Sequence, residues 1–291
     1  MAASTTSVSE LTAEQVQRIL VQPLLNRSIF LSSGVRVFDA VAAGPVRIPK
    51  LVGMTEQPGW FGENEEIDDS TEMDTDEVVL LDGVKSIKVI SRFSNELSRS
   101  SIVNYEAALR DRLVYDVSKV LDKALIANDG TTPGIPVGLL HYDDVQEMPS
   151  IGAISPDDLH DALGLSLAAN VDPSHLRLWM RPEIYVALRK WKVESSWNSY
   201  LFQANPVEST PLQLFGVPVV VTSRIPATAG ASDVVLADMS QVAVARDLSP
   251  SVVFLRERYA EFDQVAIRVI TRYDAAPLNP EAIVILRDVT A

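Results

Sequence analysis

The chain has 291 residues, 47% hydrophobic and 22% charged, with 39 Asp and Glu against 25 Lys and Arg and a formal net charge of -14. This balance is globular, supplies apolar material for about two domains of roughly 150 residues each, and would be repelled by a phosphate backbone. Cysteine is absent, which removes disulfide frameworks, thiolate metal sites and cysteine nucleophiles together.

Met1–Glu10 is rich in Ser, Thr and Ala, with no basic residue and no apolar block behind it, so no export signal is expected. The longest apolar runs, such as Val217–Val221 and Ile283–Leu286, are far short of the roughly 18 residues a membrane-spanning helix needs. No membrane partner is expected, and the cytoplasm is the default compartment.

Val46–Val52 alternates in the manner of a strand, and Val78–Ile90 is rich in Val, Leu and Ile with Asp82–Gly83 as a turn. Between them the charge is one-sided. Leu51–Val84 holds no Lys or Arg, yet carries Glu56, Glu63, Glu65, Glu66, Asp68, Asp69, Glu72, Asp74, Asp76, Glu77 and Asp82. It also contains Pro58–Gly59–Trp60–Phe61–Gly62, and aromatics on a polar excursion need a burial partner. Two readings stand: a solvated acidic loop, or a long two-stranded arm that docks on another surface.

The clearest helix follows. Ile102, Tyr105, Leu109, Leu113, Val117, Val120 and Ala124 recur at three- and four-residue spacing, which predicts one apolar face on a helix of roughly 27 residues, about 40 Å long. Ser100 or Ser101 would cap its start and Asp129–Gly130 would stop it. Arg110, Arg112, Lys119 and Lys123 interleave with Asp111, Asp116 and Asp122, the pattern of an exposed back face.

Thr131–Gly138 reads as a loop. Ser155–Pro156–Asp157–Asp158 starts a second helix, with Ser as cap, Pro at the first position and Asp158 placed for a capping box, running to about Ala169. Leu176–Met180 reads as a strand and Pro182–Lys190 as a short helix. Val217–Thr222, Asp233–Ala237, Val242–Ala245 and Val252–Leu255 read as strands, and Val265–Tyr273 and Ala282–Arg287 as two final strands joined by Asp274–Pro280. Helices and strands mix without regular alternation, so the fold class is α+β. No internal repeat is present.

Chemistry finds little to stand on. His141, His160 and His175 share no metal-ligand spacing. His141 heads Tyr142–Asp143–Asp144 as a surface turn, and His160 is expected to face solvent or a hydrogen-bond partner. No nucleophile elbow, dinucleotide fingerprint or phosphate loop occurs. Calcium binding in the 63–77 acidic run lacks EF-hand spacing. No catalytic residue, cofactor or metal site is expected. Trp179, Tyr185, Trp191, Trp197 and Tyr200 crowd together with Arg189, Lys190 and Lys192 among them. Such interleaving can stack single-stranded nucleic acid; the acidic chain instead favours Trp179 and Tyr185 in a local core and Trp191, Trp197 and Tyr200 at a subunit interface.

The order of these parts resembles a known family. A polar N-terminal arm precedes a strand and an extended loop bearing Gly59–Trp60–Phe61–Gly62–Glu63. A strand returns to Ile90–Ser91–Arg92–Phe93–Ser94–Asn95–Glu96–Leu97, a long helix follows, and Asn128–Asp129–Gly130 precedes Pro136–Val137–Gly138–Leu139–Leu140. Trp179–Met180–Arg181–Pro182–Glu183–Ile184–Tyr185, Leu214–Phe215–Gly216–Val217–Pro218–Val219–Val220, Asp263–Gln264–Val265–Ala266–Ile267–Arg268 and Asn279–Pro280–Glu281–Ala282 complete the series. Together they resemble the major capsid proteins of tailed bacteriophages, of the Hong Kong 97-type fold, over about residues 35–290.

The resemblance implies a non-enzymatic structural protein that self-assembles as pentamers and hexamers into an icosahedral shell around phage double-stranded DNA, without sequence-specific binding. It implies a virion location after assembly in the host cytoplasm. Its parts would be an N-terminal arm (1–45), an extended loop (46–92), a peripheral domain with the spine helix (93–140 and 255–291) and an axial domain (141–254). Trp60, Phe61, Glu63, Glu65, Glu66, Asp68 and Asp69 would meet neighbouring subunits. The loop lacks the crosslinking Lys of some members, so assembly would be non-covalent, with a cement protein possible. The short segment before the first strand implies a separate scaffolding protein, alongside a portal. An encapsulin-like compartment shell and a soluble α+β enzyme or binding protein remain as alternatives.

Overall fold

The computed structural model describes residues 27–40, 44–54, 63, 73–83, 85–96, 105–192, 212–247, 251–255 and 257–291. Strands β1 (Arg36–Ala40), β2 (Val46–Met54), β3 (Met73–Leu80) and β4 (Ser86–Ser94) precede the long helix α1 (Tyr105–Ala127). Then come β5 (Gln146–Met148), β6 (Gly152–Ala153), helix α2 (Pro156–Ala168), β7 (Leu176–Met180) and helix α3 (Pro182–Arg189). The remaining strands are β8 (Gln213–Leu214), β9 (Val217–Val221), β10 (Ala227–Thr228), β11 (Ala231–Asp238), β12 (Val242–Asp247), β13 (Ser251–Leu255), β14 (Gln264–Pro277) and β15 (Ile283–Thr290). The mixed α+β class expected from sequence is the one observed.

The unbroken apolar runs in β11 and β15 have a direct cause. An eight-stranded sheet runs β5–β15–β11–β7–β9–β8, with β6 and β10 at its margins, and both of its faces are buried. Leu178, Met180, Val234, Leu236, Val284 and Leu286 pack on one side with Leu159 and Ala162 of α2 and Ile184 and Leu188 of α3. Trp179, Val235, Ala237, Ile283 and Ile285 pack on the other with Leu113, Val114, Val117, Leu121 and Leu125 of α1. A strand covered twice has no polar face to alternate with. Each fully buried Leu or Ile contributes about 1.5–3 kcal/mol over an exposed one.

A second sheet is built around β14. Its first part pairs with β4, Gln264 opposite Ser94 through Arg272 opposite Ser86, and with β13. Its last part, Tyr273–Pro277, pairs with β12, which pairs in parallel with β1. This corrects the expectation that Asp274–Pro280 is a connection: Asp274, Ala275 and Ala276 continue the strand. Asp and Ala are poor strand formers, and here the register against Ala243, Val244 and Ala245 overrides propensity.

α1 is a single helix of 23 residues, about 34 Å long. The predicted caps Ser100 and Ser101 lie outside the described residues. Its buried stripe is Leu113, Val114, Val117, Leu121, Leu125 and Ile126, whereas Val120 is 55% exposed. The expected stripe is therefore corrected by a rotation that turns Val120 outward. Asp122 is corrected too: expected on the exposed back face, it is 2% exposed. Arg112 and Asp116 do form the exposed i,i+4 pair, at 2.9 Å.

α2 starts as its sequence predicts. The Asp158 amide donates to Ser155 Oγ at 3.3 Å, and the Ser155 amide donates to Asp158 Oδ2 at 2.8 Å, closing the capping box. Phe30 and Leu31 are buried in the subunit's main core, and β1 joins its sheet, although both fall within the 1–45 interval expected as an arm.

Candidate assembly interface

β2 and β3 form a two-stranded antiparallel sheet to which no third strand pairs among the described residues. The register runs from Val46 opposite Leu80 to Met54 opposite Met73, with a bulge between Leu51 and Gly53. Pro49 sits within β2, tolerated because an edge strand has a free side. An isolated two-stranded ribbon is marginally stable in water. Val46, Ile48 and Val78 tie its near end to the body, and the exposed Arg47–Glu77 ion pair across it contributes at most about 1 kcal/mol.

The root of the ribbon is held firmly. Leu80 and Leu81 are buried against Ala40, Ala243 and Ala245, and Leu81 takes a left-handed φ of 58° to turn the chain toward β4. Asp274, 1% exposed, closes this corner. Its carboxylate accepts the Leu81 amide at 2.8 Å, Lys85 Nζ at 2.8 and 2.9 Å, and the Ala275 amide at 3.0 Å. A buried carboxylate is tolerated because its lone pairs are filled and its charge is matched.

A second carboxylate fixes where the N-terminal segment joins the body. Ser28 Oγ donates to Asp122 Oδ1 at 2.5 Å, the Ile29 amide to Oδ2 at 3.2 Å and the Phe30 amide to Oδ1 at 3.3 Å. Phe30 then stacks at 5.9 Å on the fully buried Trp179. Burial pushes the Asp122 carboxyl above its usual range, and the hydrogen bonds from Ser28, Ile29 and Phe30 partly oppose this.

Of the interface residues expected from sequence, Glu63 stands in an exposed turn, and Trp191, just past α3, is 41% exposed. Trp60, Phe61, Glu65, Glu66, Asp68, Asp69, Trp197 and Tyr200 lie outside the described residues. Trp179 is core, and Tyr185 packs against the α2–α3 layer. Arg189 lies 5.7 Å from the Tyr185 ring, so this cation and aromatic satisfy each other within one helix. His141, His160 and His175 are exposed, and the His160 ring lies 4.1 Å from Phe215. Among the described residues no three His, Asp or Glu side chains gather as a metal site, and no helix is long and apolar enough to cross a membrane.

Sequence reading missed Asp122, Asp274 and Gly138. Gly138 donates its amide to Asn128 O at 2.8 Å, and Asn128 Nδ2 donates to Pro136 O at 2.8 Å. A Cβ on Gly138 would lie 2.6–2.7 Å from backbone atoms of Ile126, Ala127 and Asn128. The Asn128 to Gly138 motif is thus a tight closure at the end of α1. A signal for Asp122 existed: Val114, Val117, Leu121 and Leu125 make a cleaner apolar stripe, and Asp122 falls beside it.

The described part of the ribbon thus extends from a root locked into the body, with Val46, Ile48 and Val78 packed against that root. Residues 10–288 match the phage capsid family; the chain belongs to that family and is a structural capsid protein. Its fold is similar to the capsid of the native GTA particle, at 17% identity over 91% of each chain with a TM-score of 0.72. It is also similar to a structure from Gordonia phage Cozz, at 14% identity over 91% of this chain and 87% of that one (TM-score 0.66), and to one from Mycobacterium phage Bobi, at 14% over 100% and 95% (TM-score 0.65). At such identities the likeness concerns the fold. Among curated proteins no sequence matches the chain.

Proposed function

We propose that this capsid protein closes into pentamers and hexamers that build an icosahedral shell around phage double-stranded DNA, with the β2–β3 ribbon lying on a neighbouring subunit. The observation that carries the reading is a ribbon to which no third strand pairs among the described residues, set on a buried, charge-locked root. Another copy supplies such a ribbon with a further surface, and heterologous contacts of this kind generate rings. The interface comprises Trp60, Phe61, Glu63, Glu65, Glu66, Asp68 and Asp69 on the extended loop, with Trp191, Trp197 and Tyr200 on the axial domain. The division into arm (1–45), extended loop (46–92), peripheral domain (93–140 and 255–291) and axial domain (141–254) belongs to the same proposal. Sheet pairing crosses those bounds, with β12 beside β14 and β15 beside β11. A separate scaffolding protein, a portal and a cement protein complete the expected partners, with assembly in the host cytoplasm and no enzymatic activity. The net charge of -14 suits a wall that encloses DNA without gripping it. Membership of the phage capsid family favours this role over a cargo compartment.

Negative-stain microscopy and size exclusion of the chain expressed alone, with and without a crowding agent, test the reading. Closed shells or arrays of rings support it, and a persistent small oligomer under crowding overturns it. Reversing Glu63, Glu65 and Glu66 to Lys is expected to block shells while leaving a folded subunit; normal shells would remove the docking arm.

A further inference from the structure

The most exposed large apolar side chain among the described residues is Phe262, at 69%, on the tip of the connection between β13 and β14. That tip is braced. Asp263 takes a left-handed φ of 48°, and the Phe262 amide donates to Tyr259 O at 3.1 Å. The Asn95 amide donates to Asp263 O at 3.0 Å and Asn95 Nδ2 to Asp263 Oδ1 at 2.7 Å. Arg92 and Arg258 stand over the Tyr259 ring at 5.2 and 5.7 Å, while Glu261 and Asp263 flank Phe262 in the chain and are exposed with it. The result is an aromatic knob between two carboxylates, ordered in advance, which lowers the cost of docking it.

A groove of the opposite character lies between the C-terminal half of α1 and the start of β4, with a volume of about 500 Å³. Val120, Ala124, Ile135 and Pro136 supply its apolar wall, and Lys88 and Lys123 its exposed charge. Lys85 also borders it but is bound to Asp274, and no carboxylate lines it among the described residues. Val120 and Ile135 are 55% and 38% exposed, so the wall is open to an occupant, and a space of this size takes an aromatic ring with its flanking residues. Knob and groove stand at opposite ends of one strand pair: the groove reaches Ser86–Lys88, whereas the knob adjoins Gln264, which lies opposite Ser94. The stretch from Lys88 to Ser94 is about 20 Å, so a braced tip does not reach the groove of its own subunit. We propose that Phe262 of one copy enters the α1–β4 groove of a second copy, with Glu261 and Asp263 set against Lys88 and Lys123. This head-to-tail contact does not involve the ribbon, and it rests on reading the chain as self-assembling.

The chain has no cysteine, so introduced cysteines report the contact directly. Full-length E261C/K123C, with Phe262 kept, is assembled under crowding and treated with a short bis-maleimide. A head-to-tail contact links each copy to the next and gives a ladder of multimers on a denaturing gel, while E261C alone and K123C alone stay monomeric. Particles without the ladder overturn the proposal and leave self-assembly standing. If the unaltered chain forms no particles and E261C/K123C no ladder, both readings fall. Crosslinking of E261C alone means that two tips meet each other, and K123C joining E63C in place of E261C gives the groove to the acidic loop; either overturns the proposal. F262A is expected to lower particle yield by about tenfold or more, and because Phe262 is exposed the subunit melting temperature should not move. E261K and K123E should each lower yield similarly, and E261K/K123E should restore it to within about twofold of the unaltered chain. Unchanged yield in F262A, or no restoration in E261K/K123E, refutes the contact.

Discussion

Lys85 and Asp274 lie 189 positions apart in sequence, yet the Lys85 ammonium sits 2.8 and 2.9 Å from the two oxygens of the Asp274 carboxylate. Asp274 comes from β14, the strand that joins the second sheet together, and Lys85 from the turn that leaves the ribbon. Their contact transmits the rigidity of the body to the base of the β2–β3 arm. An arm fixed at its root presents its far end to a neighbour with less ordering cost than one that swings.

Asp274→Ala is expected to destabilise the isolated subunit by about 2 kcal/mol, the cost of leaving the buried Leu81 amide unpaired. Lys85 is partly exposed and can turn to water, which keeps the loss from being larger. Lys85→Met is expected to cost more, about 3 kcal/mol, because it strands the Asp274 charge in the interior. Urea unfolding of both variants checks the order; a milder Lys85→Met would contradict it.

The Asp122 latch predicts a pH response. Burial raises its folded carboxyl above the ordinary aspartate value of 3.8. Below the raised value the folded state holds a proton that the unfolded chain releases, so this group adds stability as pH falls toward 3.8 and none is gained further below. Asp122→Asn removes the titration. The stability difference between the unaltered chain and Asp122→Asn should shift in favour of the unaltered chain between pH 7 and pH 4, measured by denaturation at each pH. A difference that stays flat would mean the carboxyl is not perturbed. Proteolysis near Arg27 should also accelerate in Asp122→Ala.

Gly138→Ala tests the closure at the end of α1. The added Cβ meets the backbone of Ile126–Asn128 at 2.6–2.7 Å, and backbone does not yield as a side-chain tip would. The expected loss is about 2–3 kcal/mol, at the upper end for overpacking, read as a lower thermal midpoint. Gly164→Ala, with open space around its Cβ, should be neutral or slightly stabilising in α2.

Neighbouring positions on α1 should behave oppositely. Leu121 is 1% exposed and Val120 55% exposed, because they leave the helix in different directions. Leu121→Ala is expected to cost about 2–5 kcal/mol, and Val120→Ala to stay within about 0.5 kcal/mol. Equal effects would restore the stripe expected from spacing alone.

Trp60→Ala bears on assembled particles. A Trp buried at an interface centre typically costs 2 kcal/mol or more when truncated, so Trp60→Ala shells should melt earlier while the unassembled subunit melts as before. Coincident melting of both shells would leave the aromatic tip without an assembly role.

The sequence by itself determined the element types, because their signals are local. The Ser155–Asp158 capping box, the unbroken apolar runs of β11 and β15, the strand alternation of Val46–Val52 and the long periodicity of α1 each write a backbone conformation into adjacent residues. The order of motifs already resembles the phage capsid family that residues 10–288 match. What only the tertiary structure decided is which partners the interior polar residues take. Asp122 and Asp274 look like surface carboxylates in sequence, since nothing nearby announces Ser28 or Lys85 as their partners. A buried charge is tolerated only when distant groups converge on it. The same holds for Val120: helix phase is set by packing against elements far apart in the chain.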